Sequence, residues 1–411
     1  MASPIRIGLV GASRILPLHL RGYAELRRRG FDDFRITAIC SRDPQRALTF
    51  RKRGEGPEPA PVTFTAPHSY VSDFQDDVLP ETYTDVRAML DAGVVDAVDI
   101  TTEVGLHHTQ ALQAIEAGVH ALVEKPMAVS VRAAHTMVNA AKQRGVVLAV
   151  CENARFHPVM RRAGWALERG DLGKPQMVTW WVLGVPEWSP DRFVGNSPWR
   201  HQKLIGAGGA SLDIGPHIFH RLRMLCGEVS EVTALAAVIE PERYLRATDG
   251  EIMDRVACDA DDTFMASASF ESGALGQLAW SFAGHGGQTT GPQPLFYGSK
   301  GVLRADRIQL DGSEQEPLND YFDRHVTAAE RQALFPNGLE DAFGLLIGDW
   351  LSAIRAGREA ATSGVEGLHD LAASFAIVES SQARRAVTLA EVLDGRVDAY
   401  QAPLNAHYGL S

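Results

Sequence analysis

The chain has 411 residues, 45% of them hydrophobic and 22% charged, which is enough apolar material for a buried core and enough length for two or three domains. Fifty-one acidic against forty basic residues give a formal net charge of -11, a sign that works against broad attraction to phosphate backbones and excludes nucleic acid as an expected partner. No run approaches the roughly 18 apolar residues of a membrane helix, and MASPIRIGLVG enters a strand-like segment without a signal-peptide core, so a cytoplasmic protein with no membrane partner is expected.

In chain order, Ile5–Val10, Phe34–Cys40, Ala97–Thr101, Ala121–Glu124 and Val146–Val150 read as strands. Leu18–Arg29, Asp85–Ala92, His108–Ala117 and Val131–Arg144 read as helices between them, each followed by a glycine where helix C-termini favour one. This alternation predicts an α/β domain with a doubly wound parallel sheet over residues 1–152. Residues 51–80, rich in Pro, Gly and charge without a period, read as an inserted surface loop. From 153 to 411 the pattern predicts an α+β domain with a largely antiparallel sheet. Its strands are Met177–Leu183, Val232–Ile239, Thr263–Phe270, Ala274–Phe282 and Val302–Leu310, with helices near 157–169, 214–226, 340–356 and 365–385. The four cysteines, Cys40, Cys151, Cys226 and Cys258, are isolated, and no tight His, Cys or carboxylate spacing suggests a metal.

Four short segments could carry chemistry. Gly8-Leu-Val-Gly11-Ala-Ser13-Arg14-Ile15-Leu16 follows the first strand as a dinucleotide fingerprint would, with Ser13 and Leu16 where glycine or a small residue is usual; the alternative is a plain strand-turn-helix. The second strand ends in Ser41-Arg42-Asp43, a small hydroxyl and a guanidinium suited to a 2′-phosphate, which favours NADP over NAD, against a helix cap with a solvated arginine; Asp43 turned in to the ribose would restore NAD. Glu124-Lys125-Pro126 puts a lysine at the carboxyl edge of the sheet, where open α/β sheets bind ligands. In Gly208-Gly209-Ala-Ser-Leu-Asp213-Ile-Gly-Pro216-His217, an Asp213 cap would put His217 on the same helix face, a carboxylate beside an imidazole that could serve as a base or simply as a structural cap.

The order and spacing of these pieces resemble the Gfo/Idh/MocA oxidoreductase family along nearly the whole chain. The similar blocks are Val94–Thr102 followed by His107, Ala111–Gly118 with His120, Glu124-Lys125-Pro126, Glu152-Asn153-Ala154-Arg155-Phe156-His157-Pro158, Trp199-Arg200 with Gly208–His217, Tyr297-Gly-Ser-Lys-Gly301 and the Ser380–Leu389 stretch. The resemblance implies a Rossmann domain holding NAD or NADP and a second domain whose sheet supports a sugar or polyol site and often an oligomer contact, hence a homo-oligomer, dimer or tetramer. It implies cofactor contacts from Gly11, Ser13, Arg14, Ile15, Ser41, Arg42, Thr101, Thr102, His107, Glu124, Lys125 and Asn153. Substrate contacts would come from Lys125, Arg155, Trp199, Arg200, Asp213 and His217, with Lys125, Asp213 and His217 catalytic. Glu103-Val104 replaces the Pro-Asn usual after the third-strand threonine, and His220 replaces an acid three places after His217.

On this reading the enzyme moves a hydride between nicotinamide and a secondary alcohol or ketone, with His217 as base, Asp213 holding it and Lys125 stabilising the alkoxide. Two other readings use the same residues: cleavage of a glycoside through transient oxidation and elimination, and a cofactor-binding regulator without catalysis. Trp180, Trp181, Trp188 and Trp199 crowd the approach to the substrate motif, but neighbours on a strand face opposite ways, so Trp180 and Trp181 cannot both line a sugar platform.

Overall fold

Six strands of the first compact unit, Ile5–Val10 (β1), Phe34–Cys40 (β2), Glu81–Tyr83 (β3), Ala97–Ile100 (β4), His120–Glu124 (β5) and Leu148–Cys151 (β6), pair in parallel in the order β3-β2-β1-β4-β5-β6. Strands buried on both faces are what a helix-covered parallel sheet requires, and β4 and β6 are buried at every position. The chain leaves β1 for β2 on one side and later returns to β4 on the other, so the switch point lies between β1 and β4. The computed structural model describes residues 3–57, 70–183, 191–247, 249–284 and 294–410.

The units do not divide at a single point near residue 152. The first comprises Met1–Ala128, Ala134–Pro158 and Thr327–Leu368; the second comprises Val129–Ala133, Val159–Val326 and His369–Ser411. Close packing explains the return of 327–368. The helix Ala342–Ala356 lies so near the first helix, Leu16–Arg28, that a Cβ on Gly22 would come within 2.9 Å of Ile347 and Phe343. Arg21 pairs with Asp341 at 2.8 Å, and the Val150 N–H donates to Thr362 O, giving β6 a partner on its outer edge. None of these contacts has a sequence period to announce it.

Most of the inserted segment's middle, residues 58–69, lies outside the described residues. Its flanks are structured rather than loose: a helix runs over Pro44–Arg51, and Val71 and Gln75 are buried. The Gln75 amide accepts from the Ile36 N–H and donates to the Ile36 carbonyl, both at 2.9 Å, so one side chain satisfies the backbone of β2 on the edge that β3, which pairs from Ala38 onward, does not reach.

The second unit has a nine-stranded sheet built from Pro175–Leu183 (β7), Val229–Ala237 (β8), Thr263–Phe270 (β11), Leu275–Ser281 (β12), Leu295–Gly298 (β13), Gly301–Arg304 (β14), Arg307–Leu310 (β15), Glu316–Pro317 (β16) and Val387–Thr388 (β17). The order is β16-β15-β14-β13-β7-β12-β11-β8-β17, with β7 and β12 parallel and the other neighbours antiparallel. Glu242–Arg246 (β9) and Ile252–Ala257 (β10) form a separate ribbon. The expected strand Val302–Leu310 is instead the hairpin β14-β15, turned at Ala305 with φ 55°, a left-handed alanine that a search for Gly or Asn turns passes over. Alternation holds elsewhere: Phe264, Ala266, Ala268 and Phe270 point into the core, and adjacent Trp180 and Trp181 are 4% and 43% exposed. Trp188 lies outside the described residues.

No helix among the described residues is long and apolar enough to cross a membrane.

Candidate active site

In the first unit, the candidate residues follow the carboxyl ends of neighbouring strands, and backbone register brings them to one edge. Gly11 follows β1 with φ 102°, where a Cβ would come within 2.8 Å of Thr102 Cγ2 and 3.0 Å of the Thr101 carbonyl carbon. The Thr101 hydroxyl donates to the Gly11 carbonyl at 2.7 Å, locking the turn after β1 to the end of β4. Ser13 Oγ is buried without a hydrogen-bond partner among the described residues, and Ile15 leads the helix Leu16–Arg28 with no side-chain cap. An orphaned hydroxyl at the N-terminal end of this helix and a glycine cradle together fit a dinucleotide pyrophosphate. Arg14 and Ile15 are half-buried on the same turn.

After β2, Ser41 is buried and its N–H donates to the Tyr83 carbonyl. Asp43 caps the helix Pro44–Arg51 through the Gln45 N–H at 3.0 Å, so its carboxylate is engaged rather than turned to a ribose. Arg42 is well exposed and pairs with Glu103 at 2.6 Å. Thr102 Oγ1 bonds Gln110, and both ring nitrogens of His107 face carbonyl oxygens, those of Pro126 at 2.9 Å and Thr102 at 3.0 Å. Burial pushes the His107 imidazole below the usual histidine range despite these acceptors. Asn153 opens the turn Asn153–Phe156, and Arg155 is tied to the Ala361 carbonyl at 2.5 Å and lies 3.9 Å from Glu366.

Lys125 is half-buried immediately after β5, before a cis peptide to Pro126. Behind it lies a polar group that sequence reasoning missed. His19, fully buried, faces Asp99 Oδ2 through Nδ1 at 2.9 Å and Glu124 Oε1 through Nε2 at 3.1 Å, with Tyr23 donating to Asp99 and Cys151 Sγ 3.6 Å from Nε2. Burial alone would strip the proton from His19, but the charge and hydrogen bond of Asp99 hold its pKa well above the usual range. Burial likewise opposes the Glu124 charge, and His19 outweighs it, keeping that carboxyl below its ordinary value. The expectation of no tight metal-ligating cluster thus meets one trio, His19, Glu124 and Cys151, whose ligand atoms lie within 4.8 Å of one another. Both imidazole nitrogens already face carboxylates, so an imidazolium stands where a cation would. A charged-type residue inside the apolar run of β4, Asp99, was the available signal.

In the second unit, Trp199, Arg200, Asp213 and His217 come from three short pieces: the turn Pro198–His201 and the helices Ala210–Asp213 and Gly215–Cys226. Asp213 does not cap the helix that carries His217. It ends the preceding helix, Ile214 occupies the cap position without a side-chain bond, and the Asp213 carboxylate accepts from Arg200 Nη1 at 2.5 Å. The reason is the break at Ile214, which gives the short helix its own end; Pro216 does fall in the next helix's first turn. The Arg200 guanidinium also lies over the Trp199 ring, 4.6 Å from its centroid. His220, where the resemblance leads one to expect an acid, pairs with Asp370 at 2.6 Å, and Asp370 also takes Arg223.

What fixes this region is Asp261, also missed from sequence. Its buried carboxylate accepts from the N–H of Gly209 and both the N–H and hydroxyl of Ser211, at 2.8–3.2 Å, and its carbonyl accepts from Ala210. Burial pushes this carboxyl above its ordinary range. A Cβ on Gly209 would lie 1.6 Å from the Asp261 carbonyl oxygen, so only glycine fits there.

Residues 5–152 match the oxidoreductase family described as having an NAD-binding Rossmann fold, GFO_IDH_MocA, and residues 160–304 match that family's C-terminal domain. The chain is 30% identical over 318 residues to a D-apiose dehydrogenase of Paraburkholderia graminis, covering 75% of this chain and 76% of that protein. It is 32% identical over 213 residues to a levoglucosan dehydrogenase of Pseudarthrobacter phenanthrenivorans, an alignment spanning 49% of this chain and only about half, 53%, of that protein. A solved levoglucosan dehydrogenase in complex with NADH and levoglucosan superposes with a TM-score of 0.73 at 25% identity, covering 94% of this chain and 99% of that one. The chain therefore belongs to the Gfo/Idh/MocA family of oxidoreductases, with an NAD-binding Rossmann fold in its first 152 residues.

Proposed function

We propose that this protein is a dehydrogenase or reductase acting at a secondary alcohol or ketone of a sugar or cyclitol, with Lys125, Asp213 and His217 as its catalytic residues. The observation that carries the reading is the edge formed by Gly11, the orphaned Ser13 hydroxyl, Thr101 and Lys125 after adjacent parallel strands, in a chain that also keeps the Asp213 and His217 segment. Nicotinamide, when bound, supplies the hydride acceptor or donor. Oxidation of a secondary alcohol also requires the hydroxyl proton to leave, and a ring nitrogen of His217 is the group to take it. The Lys125 ammonium would donate a hydrogen bond to the same substrate oxygen as negative charge builds there. Asp213, fixed by Arg200, would orient a neighbouring hydroxyl or the imidazole, and Trp199 would bound the ring face.

The choice of cofactor turns on Arg42. Ser41-Arg42 suits a 2′-phosphate, but the partner of Arg42 is Glu103, and a carboxylate at that spot repels a phosphate. This pairing supports NAD over NADP as the working form. A homo-oligomer is the accompanying reading, supported by the open sheet face where β7, β12, β11 and β8 align Met177, Trp181, Leu275, Met265 and the 76% exposed Leu235.

The test is to incubate the protein with NAD or NADP and levoglucosan, D-apiose, myo-inositol and aryl glycosides, following nicotinamide absorbance and aglycone release together. Stoichiometric reduction without aglycone release is expected. Lys125→Ala and His217→Ala should each keep NADH affinity within about threefold while losing roughly 10²–10⁴-fold in kcat. Near wild-type rates for both would overturn the assignment, and aglycone release without net reduction would replace it with the glycoside-cleaving reading.

A further inference from the structure

We propose that His19 is a positioning residue for Lys125, acting through Glu124, whose carboxylate bridges the imidazole on one oxygen and the Lys125 backbone N–H on the other. This rests on Lys125 being catalytic. Glu124 Oε1 faces His19 Nε2 at 3.1 Å, and Glu124 Oε2 accepts from the Lys125 N–H at 3.0 Å. On the far side, the His107 ring reaches the Pro126 carbonyl at 2.9 Å, so the Lys125-Pro126 segment is gripped from both ends. His19 is itself held without freedom: Asp99 binds Nδ1, Tyr23 braces Asp99, and the Phe343 ring lies 5.2 Å from the imidazole.

The charges make the arrangement purposeful. Asp99 and Glu124 are both buried and face the same imidazole, and buried carboxylates are costly unless a cation partners them. His19, from the helix Leu16–Arg28, supplies it; the other groups facing it are Asp99 from β4, Glu124 from β5, Cys151 from β6 and Tyr23 from its own helix. One positive charge against two negative leaves a net negative charge, and Lys125 acts electrostatically on Glu124 in the same sense as His19. Remove the imidazolium and Glu124 must either take a proton, weakening its grip on the Lys125 backbone, or draw the ammonium back toward itself. Either change moves the group that has to meet the substrate oxygen, and sub-ångström placement is what a catalytic group requires.

The experiment compares His19→Gln and His19→Leu in the wild-type and Lys125→Ala backgrounds of the full chain. Kinetics use NAD with whichever of levoglucosan, D-apiose or myo-inositol is turned over, and NADH affinity is read by fluorescence. A spectroscopic arm labels lysines with ¹³C-methyl groups and assigns Lys125 by the resonance lost in Lys125→Arg. His19→Leu should lower kcat about 10–100-fold with KM and NADH affinity nearly unchanged, and shift the Lys125 resonance; His19→Gln, which keeps an amide donor toward Glu124, should recover part of both. In Lys125→Ala, either change should cost less than about twofold more, because the group being positioned is gone. Full additivity in the double variants, or an unmoved Lys125 resonance, overturns the proposal. Should Lys125→Ala leave turnover intact, the catalytic reading of Lys125 fails, while the resonance still reports whether His19 governs its surroundings. If both His19 variants fail to fold, Tyr23→Phe, which removes one donor to Asp99, carries the same two readouts with a smaller expected effect.

Discussion

The two regions that carry the candidate chemistry are built on opposite plans. In the first unit, Gly11, Ser41, Thr101 and Lys125 each follow a strand of one parallel sheet, so backbone register alone brings them to a common edge. In the second, Asp213 and His217 sit on consecutive short helices, and the turn leading to them is held by one buried carboxylate, Asp261, from 50 residues further along. An edge defined by register should tolerate side-chain changes and fail on backbone changes at its glycine. A loop held by one carboxylate should fail abruptly when that carboxylate is displaced.

The most damaging single change expected from this comparison is Gly209→Ala. The new methyl group would overlap the Asp261 carbonyl, and relieving it sacrifices the bonds from Gly209, Ala210 and Ser211 to that residue. A loss of about 4 kcal/mol or more in urea unfolding is expected. Gly227→Ala is the control: φ is 85° but nothing lies within 4 Å of the new Cβ, so about 1–2 kcal/mol is expected. Equal losses for the two would mean that Asp261 does not hold the loop.

Gly11→Ala tests the other plan and should act on binding more than on stability. With φ at 102° and Thr102 Cγ2 2.8 Å from the added methyl, the turn after β1 must open, which displaces the Ser13 hydroxyl that fits the pyrophosphate. NADH affinity measured by fluorescence should fall roughly tenfold or more, a cost of about 1.4 kcal/mol or above. Unchanged affinity would show that this turn is not the pyrophosphate site.

The same contrast governs what sequence could reveal. β1, β2 and the strand Thr263–Phe270 fall where periodicity puts them, since each is a local pattern of burial. The candidate residues that follow strands were legible for the same reason. The groups that hold them were not: His19 meets Asp99 and Glu124 across 80 and 105 residues, and Asp261 reaches Ser211 across 50, so neither contact leaves a spacing to read. Asp213 shows the limit from the other side. It has the residue type and position of a helix cap, but the helix breaks one residue later at Ile214 and Arg200, thirteen residues upstream, takes the carboxylate instead. The return of Thr327–Leu368 to the first unit was hidden likewise, its helices being amphipathic without any mark of which sheet they cover.

Glu103→Gln sharpens the comparison at its mildest point, because it alters one charge on the register-defined edge and leaves the backbone alone. Glu103 leads the helix Val104–Glu116 after β4 and pairs with Arg42 after β2, so a single exposed ion pair spans the edge where an adenosine ribose would lie. Exposed pairs contribute little to stability, and unfolding should change by no more than about 0.5 kcal/mol. Specificity should respond more. With the carboxylate gone, Arg42 is released toward a 2′-phosphate and the local repulsion falls, so the ratio of kcat/KM with NADP to that with NAD should rise roughly fivefold, an effect of about 1 kcal/mol. Arg42→Ala should move the ratio the opposite way. If neither variant shifts it, the pair does not meet the ribose.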